Sequence, residues 1–192
     1  MALDYEFLEC PGDVNVRIPL VRRPTKEEDE ATGTRIPDWM LSIEDGSGLT
    51  ESTYAGFEKY TEILGWYGES SRHIKGDTAG IFYSSATLWH SDVFVVTQNG
   101  SHIAFVKNSI ASGHISPEVK IVRLTKVNNV VQIVQMLTFN TCHWLAIHAH
   151  LDWSVLRFTA CKRTNAMTAF DQAGNQVGQT TFGVDYALNT LE

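Results

Sequence analysis

The sequence predicts a mainly β fold, a two-sheet β-barrel or sandwich with one capping α-helix. Three observations lead there. From Asp38 onward the chain is a series of runs rich in Val, Ile, Thr and aromatic residues, punctuated by Gly, Asn and Asp. Asn128 and Asn129 alone separate two of these runs, the spacing of a tight hairpin. Only one stretch, "GSHIAFVKNSIASGH" from Gly100 to His114, repeats apolar residues at helical spacing.

Residues 1–37 stand apart. They hold four of the five prolines (Pro11, Pro19, Pro24, Pro37) and the charged run "TKEEDEATGTR". "DVNVRIPLV" reads as an edge strand, since proline cannot donate to a central ladder. Residues 1–37 are read as an N-terminal extension or arm that makes a contact outside the barrel, and 38–192 as the barrel domain. In "WMLSIED", Trp39, Leu41 and Ile43 share one strand face. "ESTYAGFEKY" reads as a long loop, "YTEILGWYG" as the second strand, and "ESSRHIKGDTAG" as a polar loop punctuated by glycine. "IFYSSATLWHSDVFVVT" is one long strand or two. The helix follows, with Ser101 as its expected N-cap and Ile103, Val106 and Ile110 as its apolar stripe, flanked by Phe105. Gly113 sits where a left-handed C-cap belongs, and Pro117 blocks continuation. "EVKIVRLTKV" and "VVQIVQMLTF" then form the hairpin, "CHWLAIHAHLDWSVLRFTACK" reads as another long β-run, "DQAGNQ" as a turn, and "TTFGVDYALN" as the last strand.

Composition narrows the function classes. The 192 residues suffice for one domain with a core, and 43% hydrophobic with 19% charged residues is ordinary for a globular chain. No run approaches the roughly 18–20 apolar residues of a membrane span. The N-terminus lacks the basic flank and apolar segment of a cleaved signal peptide, so the expected course is synthesis in the cytoplasm and any secretion by another route. A net charge of −7 argues against nucleic-acid binding, which needs clustered Lys and Arg. Cys10, Cys142 and Cys161 are too few and too scattered for a disulfide framework.

The strongest metal candidate is "CHWLAIHAH". On a strand, His148 and His150 share a face that Asp152 continues, with Cys142 and His143 nearby. The simpler reading puts Leu145, Ile147, Ala149 and Leu151 on the inner face and leaves the histidines outside. Cys142 and Cys161 lack a nucleophile context, and buried thiols commonly serve as small hydrophobes. No phosphate-binding glycine loop precedes a helix. Five tryptophans (Trp39, Trp66, Trp89, Trp144, Trp153) suit a sugar platform, but more often fill a core or a subunit contact. "DVFVVT" and "KIVRLTKV" have two apolar faces, which predicts burial by a core on one side and a neighbour on the other, and so assembly.

The order of these segments resembles the haemolysin-coregulated protein (Hcp, TssD) family, the tube protein of the bacterial type VI secretion system. "GLTES" after "WMLSIED" is similar to the family's Gly-x-x-Glu-Ser turn, and "EILGWYGES" to its "IEVxSWSxG" strand. "WHSDVFVV" resembles the strand before the family helix and "AFVKNSIASGH" the helix itself. "EVKIVRLTK", "WLAIHAHLDWSVL" and "TTFGVDYALN" resemble the strands that follow. The resemblance runs from about Pro37 to the C-terminus. The 37-residue extension, the segment "HAHLDW", a longer final connection and a missing closing aromatic depart from the pattern. The resemblance implies a barrel capped by one helix, hexameric rings stacked into a tube inside a contractile sheath, expulsion with a tip spike from a baseplate, and small effectors in the lumen. The loop "ESTYAGFEKY" matches in position the family's extended loop, which reaches a neighbouring ring. No catalysis, cofactor or metal is implied. Two other readings remain: a carbohydrate- or ligand-binding β-sandwich using Trp66 or Trp89, and a metal-dependent enzyme at His148 and His150 with Cys142.

Overall fold

The computed structural model describes residues 6–10, 13–20, 36–44, 52, 54, 56–72, 75–76, 82–83, 88–128, 130–171, 173–188 and 190–191. β1 (Glu6–Cys10) and β2 (Asp13–Leu20) form an antiparallel hairpin of their own. The main sheet takes β3 (Trp39–Glu44), β4 (Thr61–Tyr67), β9 (Val93–Gln98), β10 (Ile115–Val127), β11 (Val130–Ala149), β12 (Trp153–Phe170), β13 (Gln176–Asp185) and β14 (Thr190–Leu191). Among the described residues four short strands lie between β4 and β9. β5 (Ser70–Arg72) pairs with β8 (Leu88–His90), and β6 (Lys75–Gly76) with β7 (Phe82–Tyr83). One helix, α1 (Ser101–Ser112), separates β9 from β10.

The sheet closes. Its order β10–β3–β4–β9–β12–β11 returns to β10, every pairing antiparallel, so six strands make a barrel without an edge. β11 and β12 run 20 and 18 residues, far beyond the usual strand of about 5–6 residues, and outrun the barrel wall. β12 pairs with β11 along one edge. Its other edge pairs with β9 over Trp153–Phe158 and with β13 over Lys162–Phe170. The far halves of β10, β11 and β12, with β13, therefore project as a sheet. The two hairpin tips of that sheet meet, the Asn128 side-chain amide donating to the Ala173 carbonyl. Gly174 is required there, since its φ is +83° and a Cβ would lie 2.5 Å from Asn128 Nδ2.

The barrel interior is apolar. Leu41, Ile43, Ile63, Val93, Val95, Val119, Ile121, Leu137, Phe139, Leu156 and Phe158 point inward at period 2 and form one buried cluster. Phe139 and Phe158 meet edge to face at 5.3 Å, with Trp144 beside Phe158 at 5.1 Å. The Trp144 indole N–H donates to the buried Ser116 hydroxyl at 2.9 Å, which satisfies both polar groups.

The two-faced strands find their second cover in the same chain. Outward-facing Phe94, Val96 and Val155 lie under Ile18 and Leu20 of β2. Outward-facing Met40, Val122 and Leu124 lie under Tyr54, Phe57 and Tyr60 of the loop before β4. Burial there raises the Tyr60 phenol above its usual 10.0. The apolar faces of "DVFVVT" and "KIVRLTKV" are thus covered without a neighbouring subunit, and that pattern by itself is no argument for assembly.

Other expectations change in detail. Gly100, not Ser101, is the N-cap, with extended backbone and no side-chain cap bond. The segment 69–80, expected as loop, contains the short strands β5 and β6. Within the run expected as one long strand or two, β8 and β9 are separate strands, parted at residues 91–92, and β7 lies at Phe82–Tyr83. The run from Cys142 to Lys162 is two strands, because a turn at residues 150–152 reverses the chain. Leu145 and Leu151 are exposed, not inward. A bulge between Trp144 and Ala146 advances the phase by one residue, so Trp144 and Ile147 both face the core and Leu145 faces out. "DVNVRIPLV" does form a strand, and the Asn128 and Gly174 turns fall where expected, with φ values of 49° and 83°. The "GLTES" turn and most of "TKEEDEATGTR" lie outside the described residues.

Candidate functional site

The barrel has two ends that differ in chemistry. β9 runs into α1 and β10 leaves it, so the helix lies over the end where β9 finishes. Ile103 and Val106 are buried, and both join the cluster that fills the barrel, with Phe105 and Ile110 packed against its margin. A side chain outside a closed wall reaches that interior only through an open end, so the helix seals this one. Lys107 and Asn108 are exposed on its opposite face. Gly113, at φ +68°, ends the helix, and the His114 N–H donates to the Ser109 carbonyl at 3.0 Å. His102 is buried as well, its Nε2 3.2 Å from Thr97 Oγ1. The apolar-stripe reading missed it because histidine does not count as apolar, and a polar side chain is buried where a partner waits.

The opposite end is closed by aromatics and arginines. Trp39, at the start of β3, and Trp66, near the end of β4, meet edge to face at 5.7 Å. The Arg123 guanidinium lies over Trp39 at 5.8 Å, and that of Arg163 over Trp66 and Phe139 at 5.7 Å each. Trp66 is therefore engaged with the core and a cation, not laid open as a sugar platform. Trp89 is half exposed on the short β8.

The histidines predicted as metal candidates do not converge. His148 lies within β11 opposite Val155, whereas His150 follows the strand and stacks on Trp153 at 3.8 Å. Among the described residues no group of three His, Cys, Asp or Glu side chains is placed to hold a metal ion. Cys142 is buried in the barrel core, and desolvation pushes its thiol from the ordinary 9.0 up to about 12, the reverse of nucleophile activation. Cys161 is half-buried. A groove of about 380 Å³ between Phe57 and the projecting sheet is lined by Val131, Ile133, Met136, Phe170 and Gln179 among others, with no acid, base or thiol in its wall. Among the described residues no helix is long and apolar enough to cross a membrane.

The class that this geometry defines is a six-stranded antiparallel barrel, plugged by one helix at one end, with long strands running past the other. Solved structures share it. One described as a type six secretion system protein superposes with a TM-score of 0.71 at 14% identity, over 82% of this chain and 100% of that one. Hcp1 from Salmonella typhimurium gives 0.62 at 17% identity, over 81% and 98%. Secreted protein Hcp3 from Pseudomonas aeruginosa gives 0.55 at 12% identity, over 77% and 99%. No family model and no curated protein matches the sequence. The chain has the Hcp-like fold expected from the ordered series of segments.

Proposed function

We propose that this chain is the tube subunit of a type VI secretion or related contractile injection system. In this reading six copies close into a ring, rings stack into a tube within a contractile sheath, and contraction expels the tube with its spike from the baseplate. The role is structural and not enzymatic, and the lumen can carry small effectors. The protein is made in the cytoplasm and leaves with the tube. The supporting observation is the shared fold, which spans the whole length of a type six secretion system protein at a TM-score of 0.71.

The N-terminal extension is proposed as an arm outside the ring contact. Ile18 lies fully buried against the outer wall of its own barrel, which supports an intramolecular role. In the loop at 51–60, Tyr54, Phe57 and Tyr60 pack on the same barrel, so among its described side chains Glu58 and Lys59 are the ones exposed to a neighbouring ring.

Electron microscopy of the purified protein tests the reading. Annular particles are expected, with subunit contacts above the ~1,000 Å² of a stable interface. A strictly monomeric species at high concentration overturns it.

A further inference from the structure

Apart from Trp89 and Leu188, the exposed large apolar residues among those described lie at the two ends of the barrel. Ile115, Leu145 and Leu151 lie at the helix end, and Val130, Met167, Val177 and Phe182 lie on the projecting sheet at the other. Leu151 is the extreme case at 97% exposure, on the tip of the turn between β11 and β12. That tip is held firmly. Asn99 donates its side-chain amide to the His150 and Leu151 carbonyls at 2.9 and 3.0 Å, and its N–H to the Asp152 carbonyl at 3.1 Å. The His150 N–H donates to the Trp153 carbonyl at 2.8 Å, and the two rings stack. A bare leucine on a braced turn loses little conformational freedom on contact, which favours binding. Asp152 stands exposed beside it.

The opposite end offers a matching surface. Leu137 pairs with Asn165, and Asn165 with Phe182. Directly paired residues share a face, so this row extends the barrel's inward face into the open. Met167 and Arg163, two residues to either side of Asn165, lie on that face too. Met167 and Phe182 are 55% and 52% exposed. The Arg163 guanidinium lies over Trp66 and Phe139 at the mouth of the barrel, and among the described residues it has no carboxylate partner, the ion pairs being Lys120–Glu118, Arg157–Asp92 and Lys162–Asp185.

We infer that the Leu151–Asp152 tip of one copy docks head to tail on the projecting sheet of a second copy, Leu151 against Phe182 and Met167, and Asp152 toward Arg163. The occupant is a second copy because one chain carries both complementary parts, apolar to apolar and acid to cation, at opposite ends. The contact is heterologous and leaves a free tip and a free sheet at each step. It rests on the tube reading and assigns that reading one of its contacts.

The test uses the full chain carrying Leu151→Cys and Phe182→Cys, oxidised and run on a non-reducing gel beside the parent, which controls for the native thiols, and beside each single variant. Leu151→Ser is compared with the parent by sedimentation velocity and thermal melting, and all are imaged by electron microscopy. A ladder beyond dimer in the double variant alone is expected. Leu151→Ser is expected to need at least ten times more protein to assemble, at an unchanged melting temperature. Rings without a ladder, with Leu151→Ser assembling like the parent, overturn the contact and leave the tube reading standing. A ladder without rings supports the contact and removes the ring reading. Monomers throughout overturn both, and dimers from Phe182→Cys alone overturn the head-to-tail arrangement.

Discussion

Val106 carries the account of the helix as a plug, and Val106→Asp is its sharpest test. The side chain is fully buried within the barrel cluster. Removing it forfeits about 1.5–3 kcal/mol of burial. The new carboxylate finds no cation in the apolar cluster around it, and an uncompensated buried charge costs a further ~3–5 kcal/mol. The two together come to roughly 5–8 kcal/mol, against a total stability of about 5–15 kcal/mol for a domain. The variant should therefore be unfolded, or hold a barrel from which the helix has come away. Circular dichroism melting and limited proteolysis distinguish these outcomes. Val106→Ala supplies a graded control. Losing two carbons at ~0.8 kcal/mol each, plus a partly collapsed cavity, predicts about 2 kcal/mol. For a chain of this size that lowers the melting temperature by roughly 4–8 °C. Lys107→Ala, one residue away on the exposed face, should stay within ~0.5 kcal/mol of the parent. If Val106→Asp melts like the parent, the helix does not seal the barrel.

Trp144→Phe should cost about 1–3 kcal/mol in denaturant unfolding, because it strands the buried Ser116 hydroxyl while keeping an aromatic ring in place. Cys142 should resist thiol reagents in the native protein and react only on unfolding, while the half-buried Cys161 reacts ahead of it. The raised thiol pKa also sets an alkaline limit. Unfolded chains lose this proton from about pH 9 and folded ones not until about 12, so the contribution is intact below 9 and stability falls between those values, a slope that Cys142→Ala should reduce in pH-dependent melting. Deleting residues 1–36 should uncover Phe94, Val96 and Val155, raising binding of a hydrophobic dye, while rings still form by electron microscopy. Loss of rings in that deletion would move the arm into the subunit contact.

Local signals were legible where one residue type answers one backbone demand. Gly113 at positive φ, the Asn128 turn and the Ile103–Val106 stripe were all readable from spacing and residue chemistry. The site was less legible. His148 and His150 look like a same-face pair only while the strand is taken to continue, and the chain turns after Ala149. Leu145 reads as inward until a bulge shifts the phase, and a single inserted residue leaves no mark in an alternating pattern. The Arg123–Trp39–Trp66–Arg163 closure joins residues from four strands, so no local pattern could announce it.

By itself the sequence determined that the domain is mainly β, where the capping helix lies and where it stops, and the series of segments that resembles the Hcp family. Those features rest on contacts within a few residues of each other. Only the tertiary structure decided that β11 pairs with β12 to close the barrel, that β2 and the loop before β4 cover its outer apolar faces, and that the long strands overrun one end. The physical reason is that a period of two states which face of a strand is apolar, but not what lies against that face. The covering residues stand far away in sequence, and folding alone selects a loop of the same chain over a second copy.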